Sequence, residues 1–227
     1  MKTKLDELSQ DQQSYIKKHL RFVLDYNKKV NLTNIISYEE GLLLHIEDSL
    51  LGLDEVNLAP EGPLADLGSG AGYPGIPLAI ATGRNTVLIE SVAKKAQALK
   101  LFIAQEGLDN SVQIATKRSE DLAREVGAAF SVVTARAVGE LPELIELASP
   151  LLSMGGLLIC YKAKPSEEEL ERGRLAAIRC GLIEESLRRC ILSDGKTART
   201  LVAYKKVDKP TIDLPRRNGM AKKRPLA

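Results

Sequence analysis

The stretch Pro63-Leu64-Ala65-Asp66-Leu67-Gly68-Ser69-Gly70-Ala71-Gly72-Tyr73-Pro74-Gly75, with Glu90 closing the next apolar run, constrains this chain more than any other feature. A short strand leads into a turn with four glycines, then a helical pattern over 75–82, then a second strand over 86–90. Glycine serves where a backbone takes positive φ or approaches a ligand closely, because it carries no Cβ. A carboxylate ending the second strand stands where nucleotide-binding α/β folds take ribose hydroxyls. Together they predict a nucleoside ligand at the edge of a parallel sheet.

The spacing speaks against a dinucleotide. G-x-G-x-x-G directly after the first strand needs a glycine at Tyr73, and the match at Gly70, Gly72 and Gly75 starts late and contains Pro74. Asp66, beside the turn, would repel a pyrophosphate and suits a ligand with positive centres. S-adenosylmethionine carries a sulfonium and an ammonium and no phosphate, so a methyl-donor site is expected. Gly68, Gly70 and Gly72 would meet its methionine part and Glu90 its ribose. The plainer alternative is a glycine turn that only packs a helix on a sheet.

From Leu64 onward strand and helix alternate. Strands are expected over 64–67, 86–90, 111–115, 130–134, 156–162, 182–191 and 199–205, and helices over 75–82, 93–106, 119–125, 140–151 and 166–180. This predicts a mostly parallel seven-stranded sheet covered on both faces. The last two strands have no helix between them, and Asp194-Gly195 signals an antiparallel hairpin. Helical spacing over 6–26 and 38–51 precedes the sheet. The expected organisation is a helical N-terminal cap (1–60), an α/β domain with the Rossmann-like fold of S-adenosylmethionine-dependent methyltransferases (61–207), and a basic tail (208–227).

With 227 residues the chain can bury one sizeable core. It has no apolar run long enough to span a bilayer and no apolar leader after Met1, so a cytoplasmic protein without membrane contact is expected. Cys160, Cys180 and Cys190 form no C-x-x-C pair, and neither a disulfide frame nor a metal site is expected. No heptad or large apolar patch is evident, which makes a monomer the default. From Lys205 onward eight basic residues face two acidic ones, although the whole chain is only +2. A basic tail on a mildly acidic body suits a polyanion, against the alternative of a solvated terminus.

Ligands of doubly wound sheets lie beyond the carboxyl ends of the strands. After the third strand, Ser119 and Glu120 could reach an adenine edge or could simply start a helix. After the fourth, Thr134-Ala135-Arg136-Ala137 offers Arg136, a permanent cation, and lacks both the Asn/Asp-Pro-Pro-aromatic tetrapeptide and a Pro-Cys pair. Arg136 is expected to position a ligand; the bland reading pairs it with Glu140. No general base is evident, and His45, one turn from Asp48, reads as a structural contact. Guanine N7 attacks through an in-plane lone pair and needs no base, so positioning would supply most of the rate.

Asn27-x-x-x-Asn31-Leu32-Thr33, His45-x-x-Asp48-Ser49-Leu50, the Asp66–Gly75 turn with Gly75-Ile76-Pro77, Thr134-Ala135-Arg136-Ala137, Lys162 and the tail Pro215-Arg216-Arg217-x-Gly219 together resemble the RsmG (GidB) family of bacterial small-subunit rRNA guanine-N7 methyltransferases. The resemblance runs over nearly the whole chain. It implies methyl transfer from S-adenosylmethionine to N7 of a guanine in the 530 loop of 16S rRNA, with 16S rRNA or the small subunit as partner. The family's donor positions map onto Gly68, Tyr73, Ser119, Glu120 and Arg136. Glu90 departs from the usual Asp by one methylene, and Met220-Ala221 replaces a more proline-rich stretch. The tail residues Arg216, Arg217, Lys222, Lys223 and Arg224 are expected on RNA, separate from the donor pocket. The rivals are a small-molecule methyltransferase and a non-catalytic RNA-binding factor on the same fold.

Overall fold

The computed structural model describes residues 2–227; Met1, the first residue of the expected cap, lies outside them. The cap comprises α1 (Gln10–Asn27), a helical run made of α2 (Tyr38–Gly41), a π-helical segment (Leu42–Glu47) and α3 (Asp48–Leu50), and α4 (Leu53–Leu58). Ser9 caps α1 by accepting the Gln12 N–H, while Gln12 reaches back to the Ser9 N–H. Ile16, Leu20 and Val23, spaced by four and three, form the face that α1 buries. Gln12 also donates to the carbonyls of Ile80 and Ala81, tying the cap to the sheet domain.

That domain runs β1 (Leu64–Leu67), α5 (Gly75–Thr82), β2 (Thr86–Ile89), α6 (Ala93–Gln105), β3 (Val112–Ala115), α7 (Ser119–Val126), β4 (Phe130–Arg136), α8 (Leu141–Ala148), β5 (Leu152–Lys162), α9 (Glu167–Arg179), β6 (Leu182–Ile191) and β7 (Ala198–Lys206). The sheet order is β3-β2-β1-β4-β5-β7-β6, parallel from β3 to β5, with β7 antiparallel to both β5 and β6. The expected fold and closing hairpin are present. Strand alternation divides β1 between two cores. Ala65 and Leu67 join the cluster containing Leu122, Leu141 and Leu170 of α7, α8 and α9. Leu64 packs with Leu53, Val56 and Leu78 on the opposite face. Among the described residues no helix is long and apolar enough to cross a membrane.

The C-terminal segment departs from expectation, because it packs on the sheet domain. Arg216 makes a two-point ion pair with the buried Glu146 of α8, Nε to Oε1 at 2.7 Å and Nη2 to Oε2 at 2.5 Å. Arg172 and Arg179 of α9 donate to the carbonyls of Ala227 and Leu226. A four-residue helix, α10 (Met220–Lys223), buries Ala221. Arg216 therefore has a structural role that the sequence did not suggest, since a buried carboxylate must keep its partner. Lys206, counted above among the basic terminus, is likewise buried, donating to Ser149 Oγ and the Cys180 carbonyl.

Candidate active site

The glycine turn leaves β1 where Leu67 pairs with Ile89 of β2. The N–H groups of Gly68 and Ser69 donate to the Ile89 carbonyl at 2.9 and 3.1 Å. Glu90 folds back on the turn: Oε2 accepts the Gly70 N–H at 2.9 Å and Oε1 the Val92 N–H at 2.7 Å. An ionised carboxylate keeps further acceptor capacity after two such bonds. Gly70 takes φ +58°, and a Cβ built on it would find only the Gly68 carbonyl oxygen, at 3.9 Å. That open face beside an anchored carboxylate fits the ribose and methionine portions of a nucleoside donor.

Asp66 does not face this space. It is fully buried, with Oδ2 accepting the Gly75 N–H at 3.0 Å and Oδ1 the Thr134 hydroxyl at 2.8 Å. It fixes the start of α5, so its expected direct selection against pyrophosphate is corrected to a positioning role. Burial raises its carboxyl to about 6, against the lowering effect of both hydrogen bonds.

A cavity of about 520 Å³ opens beyond β1, β2 and α7, lined by Gly68, Glu90, Ser119, Glu120, Gly219 and Lys222 among others. Ser119 is the first residue of α7, with Arg118 in the capping position, so its hydroxyl is not spent on the helix start. It lies 3.3 Å from Glu120 Oε2, while Glu120 Oε1 accepts the Gly219 N–H at 2.8 Å. The structure thus brings Gly68, Glu90, Ser119 and Glu120 together. It does not bring Gly72 or Tyr73 into this wall. Gly72 is buried against Ile76, Leu99 and His19. Tyr73 is buried with its ring stacked on His45, centroids 4.2 Å apart and planes 2° from parallel. Gly72 thus packs between α5, α6 and the cap, and Tyr73 packs against the cap beside Arg136, whose guanidinium carbon lies 5.6 Å from the ring centroid.

Arg136 lies in a neighbouring cavity of about 410 Å³, with His45, Asp48, Tyr161, Lys162 and Arg199. It does not pair with Glu140, which binds Arg172. Arg136 Nη1 donates to the Leu44 carbonyl of the π-helical segment at 2.9 Å and to Asp48 Oδ2 at 3.0 Å, and Arg199 Nε holds Asp48 Oδ1 at 2.9 Å. His45 Nε2 is 3.0 Å from the Thr33 hydroxyl and Nδ1 is 3.4 Å from Arg136 Nη2. Burial, and then the Arg136 charge, push the His45 imidazole down to about 3, so it is neutral at physiological pH. His45, the expected structural contact, has both ring nitrogens engaged. Sequence reasoning missed Asp48 and Arg199 as a unit with Arg136, although Asp48 stands three residues after His45. It also kept the tail apart from the donor side and so missed that Asn218, Gly219 and Lys222 line the same cavity as Glu90.

Comparison with known proteins shows the family and the fold. The family model described as "rRNA small subunit methyltransferase G" matches residues 12–202. Proteins named "Ribosomal RNA small subunit methyltransferase G" are similar over nearly full length. That of Desulfitobacterium hafniense is 35% identical over 97% of this chain and 92% of its own. That of Thermotoga neapolitana is 34% identical over 95% and 93%. Among solved structures, the Bacillus cereus O-methyltransferase in complex with SAH aligns with a TM-score of 0.59 at 20% identity, over 83% of this chain and 91% of that one. A geranyl diphosphate methyltransferase in complex with SAM gives 0.57 at 14%, over 71% and 86%. These two likenesses speak for the fold alone.

Proposed function

Because the chain belongs to the rRNA small subunit methyltransferase G family, we propose that it transfers a methyl group from S-adenosylmethionine to N7 of a guanine in the 530 loop of 16S rRNA. The donor supplies an electrophilic methyl on a sulfonium. Glu90, anchored by Gly70 and Val92, receives its ribose, and Ser119 and Glu120 flank its adenine. The guanine enters the neighbouring cavity.

One observation carries the choice of acceptor: the second cavity is rich in cationic donors and has no free base. Arg136, Lys162 and Arg199 line it, Asp48 is held by two arginines, and His45 is neutral and engaged. Such a site cannot readily strip a proton from an amine or a hydroxyl. It suits a nucleophile that carries its lone pair already. Guanine presents N7 and O6 side by side as acceptors, so a cation on O6 orients the base while N7 attacks. Fixed orientation of the two reactants then supplies the rate.

The test incubates the protein with methyl-labelled donor and small subunits or their rRNA lacking the modification. N7-methylguanine is scored by strand scission after reduction. Label at a single guanine of the 530 loop is expected; label on another atom, or none, refutes the assignment. The protein is read as a cytoplasmic enzyme acting as a monomer, its partner being 16S rRNA or the small subunit.

A further inference from the structure

The C-terminal segment touches two things that a sequence reading keeps apart. Asn218, Gly219, Ala221, Lys222 and Lys223 line the cavity assigned to the donor, together with Gly68 and Glu90. The segment is held there from several directions. Gly219 N–H donates to Glu120, Asn218 Nδ2 donates to both Asp121 oxygens, and Arg124 donates to Asn218 Oδ1 and the Arg216 carbonyl. These contacts converge on the first turns of α7, the same residues that supply Ser119 and Glu120. Meanwhile Arg217, Lys222, Lys223 and Arg224 are exposed, and among the described residues none of them forms an ion pair. Arg216, next in line, is paired with Glu146 and also donates to the Arg224 carbonyl.

We propose that residues 217–224 are a bifunctional wall: their inner surface closes the donor cavity, and their outer cations take RNA phosphates, so that donor and RNA each raise the other's affinity. This rests on the rRNA reading above. Phosphates gripping the outer cations favour the position in which the segment closes the donor cavity, and a bound donor favours that same position. Linkage makes the effect reciprocal. Gly219 makes the left-handed turn into α10, at φ +78°, with nothing within 4 Å of a Cβ built on it. A side chain there strains the backbone without meeting the core. Lys222 also acts inward, since its charge opposes the upward shift that burial gives the cavity-lining Glu143.

The experiment measures S-adenosylhomocysteine binding calorimetrically, without RNA and with a saturating 16S fragment that contains the 530 loop. Full-length protein should bind it roughly fivefold or more tightly with RNA, the lower end of ordinary allosteric coupling. Gly219→Ala should weaken RNA-free binding several-fold while thermal unfolding shows a folded protein. In Arg217→Ala/Arg224→Ala the ratio between the two affinities should fall toward one. Equal affinity with and without RNA in the full-length protein overturns the coupling, and Gly219→Ala binding as tightly as the parent overturns the wall. RNA that binds and is methylated while donor affinity stays unmoved sinks the coupling alone. RNA that neither binds nor is methylated sinks the rRNA reading with it.

Discussion

Asp66 shows how one residue can be correctly noticed and wrongly aimed. A carboxylate next to a ligand turn invites an electrostatic reading, but its two hydrogen bonds run inward to Gly75 and Thr134. Its folded value of about 6 lies above the ordinary 3.8. Between those pH values the folded protein holds one proton more than the unfolded chain, so stability falls as pH rises through the window. The size follows from about 1.4 kcal/mol per pH unit, giving roughly 3 kcal/mol across it. Asp66→Asn keeps an acceptor for Gly75 and removes the ionisation. Urea unfolding at pH 4 and pH 7 should therefore show the stability difference, wild type minus variant, shrinking or reversing by up to that amount at pH 7. Parallel profiles for the two proteins would sink the account.

At the scale of elements, the alternation from Leu64 to Lys206 was legible because glycine and proline punctuate it and the inner strands β1 and β4 are mostly apolar and buried on both faces. The ends were less so. β5 begins at Leu152, four residues before the expected start, because it pairs first with Phe130 and then crosses an irregularity before Val132. Local sequence carries no sign of that. The π-helical segment was equally invisible, since its justification is the Leu44 carbonyl meeting Arg136, 92 residues away. Arg84, donating to the carbonyls of Val56, Ala59, Pro60 and Gly62, closes the cap onto the sheet without any motif. The glycine turn was legible as a turn, but its glycines serve different ends. Gly72 takes φ +92°, and a Cβ there would lie 2.7 Å from Ile76 Cδ1 and 2.9 Å from Leu99 Cδ2. Gly83 takes φ +70° with nothing within 4 Å. Gly72→Ala should cost about 2–4 kcal/mol from backbone strain and overpacking together, and Gly83→Ala about 1–2 kcal/mol from backbone strain alone. Denaturant titration of both separates packing from conformation; equal losses would mean that the contacts at Gly72 relax.

Across the whole molecule, charge is where composition and structure part company. Eight basic residues from Lys205 onward suggested a polycationic arm. The fold buries Lys206, commits Arg216 to Glu146 and leaves Lys205 near Glu185, 3.9 Å away. A count of charges cannot see this, because Glu146, Ser149 and Glu185 are distant in sequence. What remains for RNA in the segment that follows Pro215 is Arg217, Lys222, Lys223 and Arg224. Each cation that neutralises a phosphate on a single strand contributes about 0.7 to the slope of log affinity against log salt, and about 0.9 on a duplex. Neutralising all four should therefore lower the magnitude of that slope by about 3, and Arg216 should contribute almost nothing to it. Arg216→Gln should instead act on stability, since it strands a buried carboxylate at a cost of about 3–5 kcal/mol. Filter binding of a 16S fragment across a salt series, alongside denaturation of each variant, reads the two effects separately. A slope that drops by one unit for Arg216→Gln in a stable protein would return that residue to the RNA and undo the division between inner and outer cations.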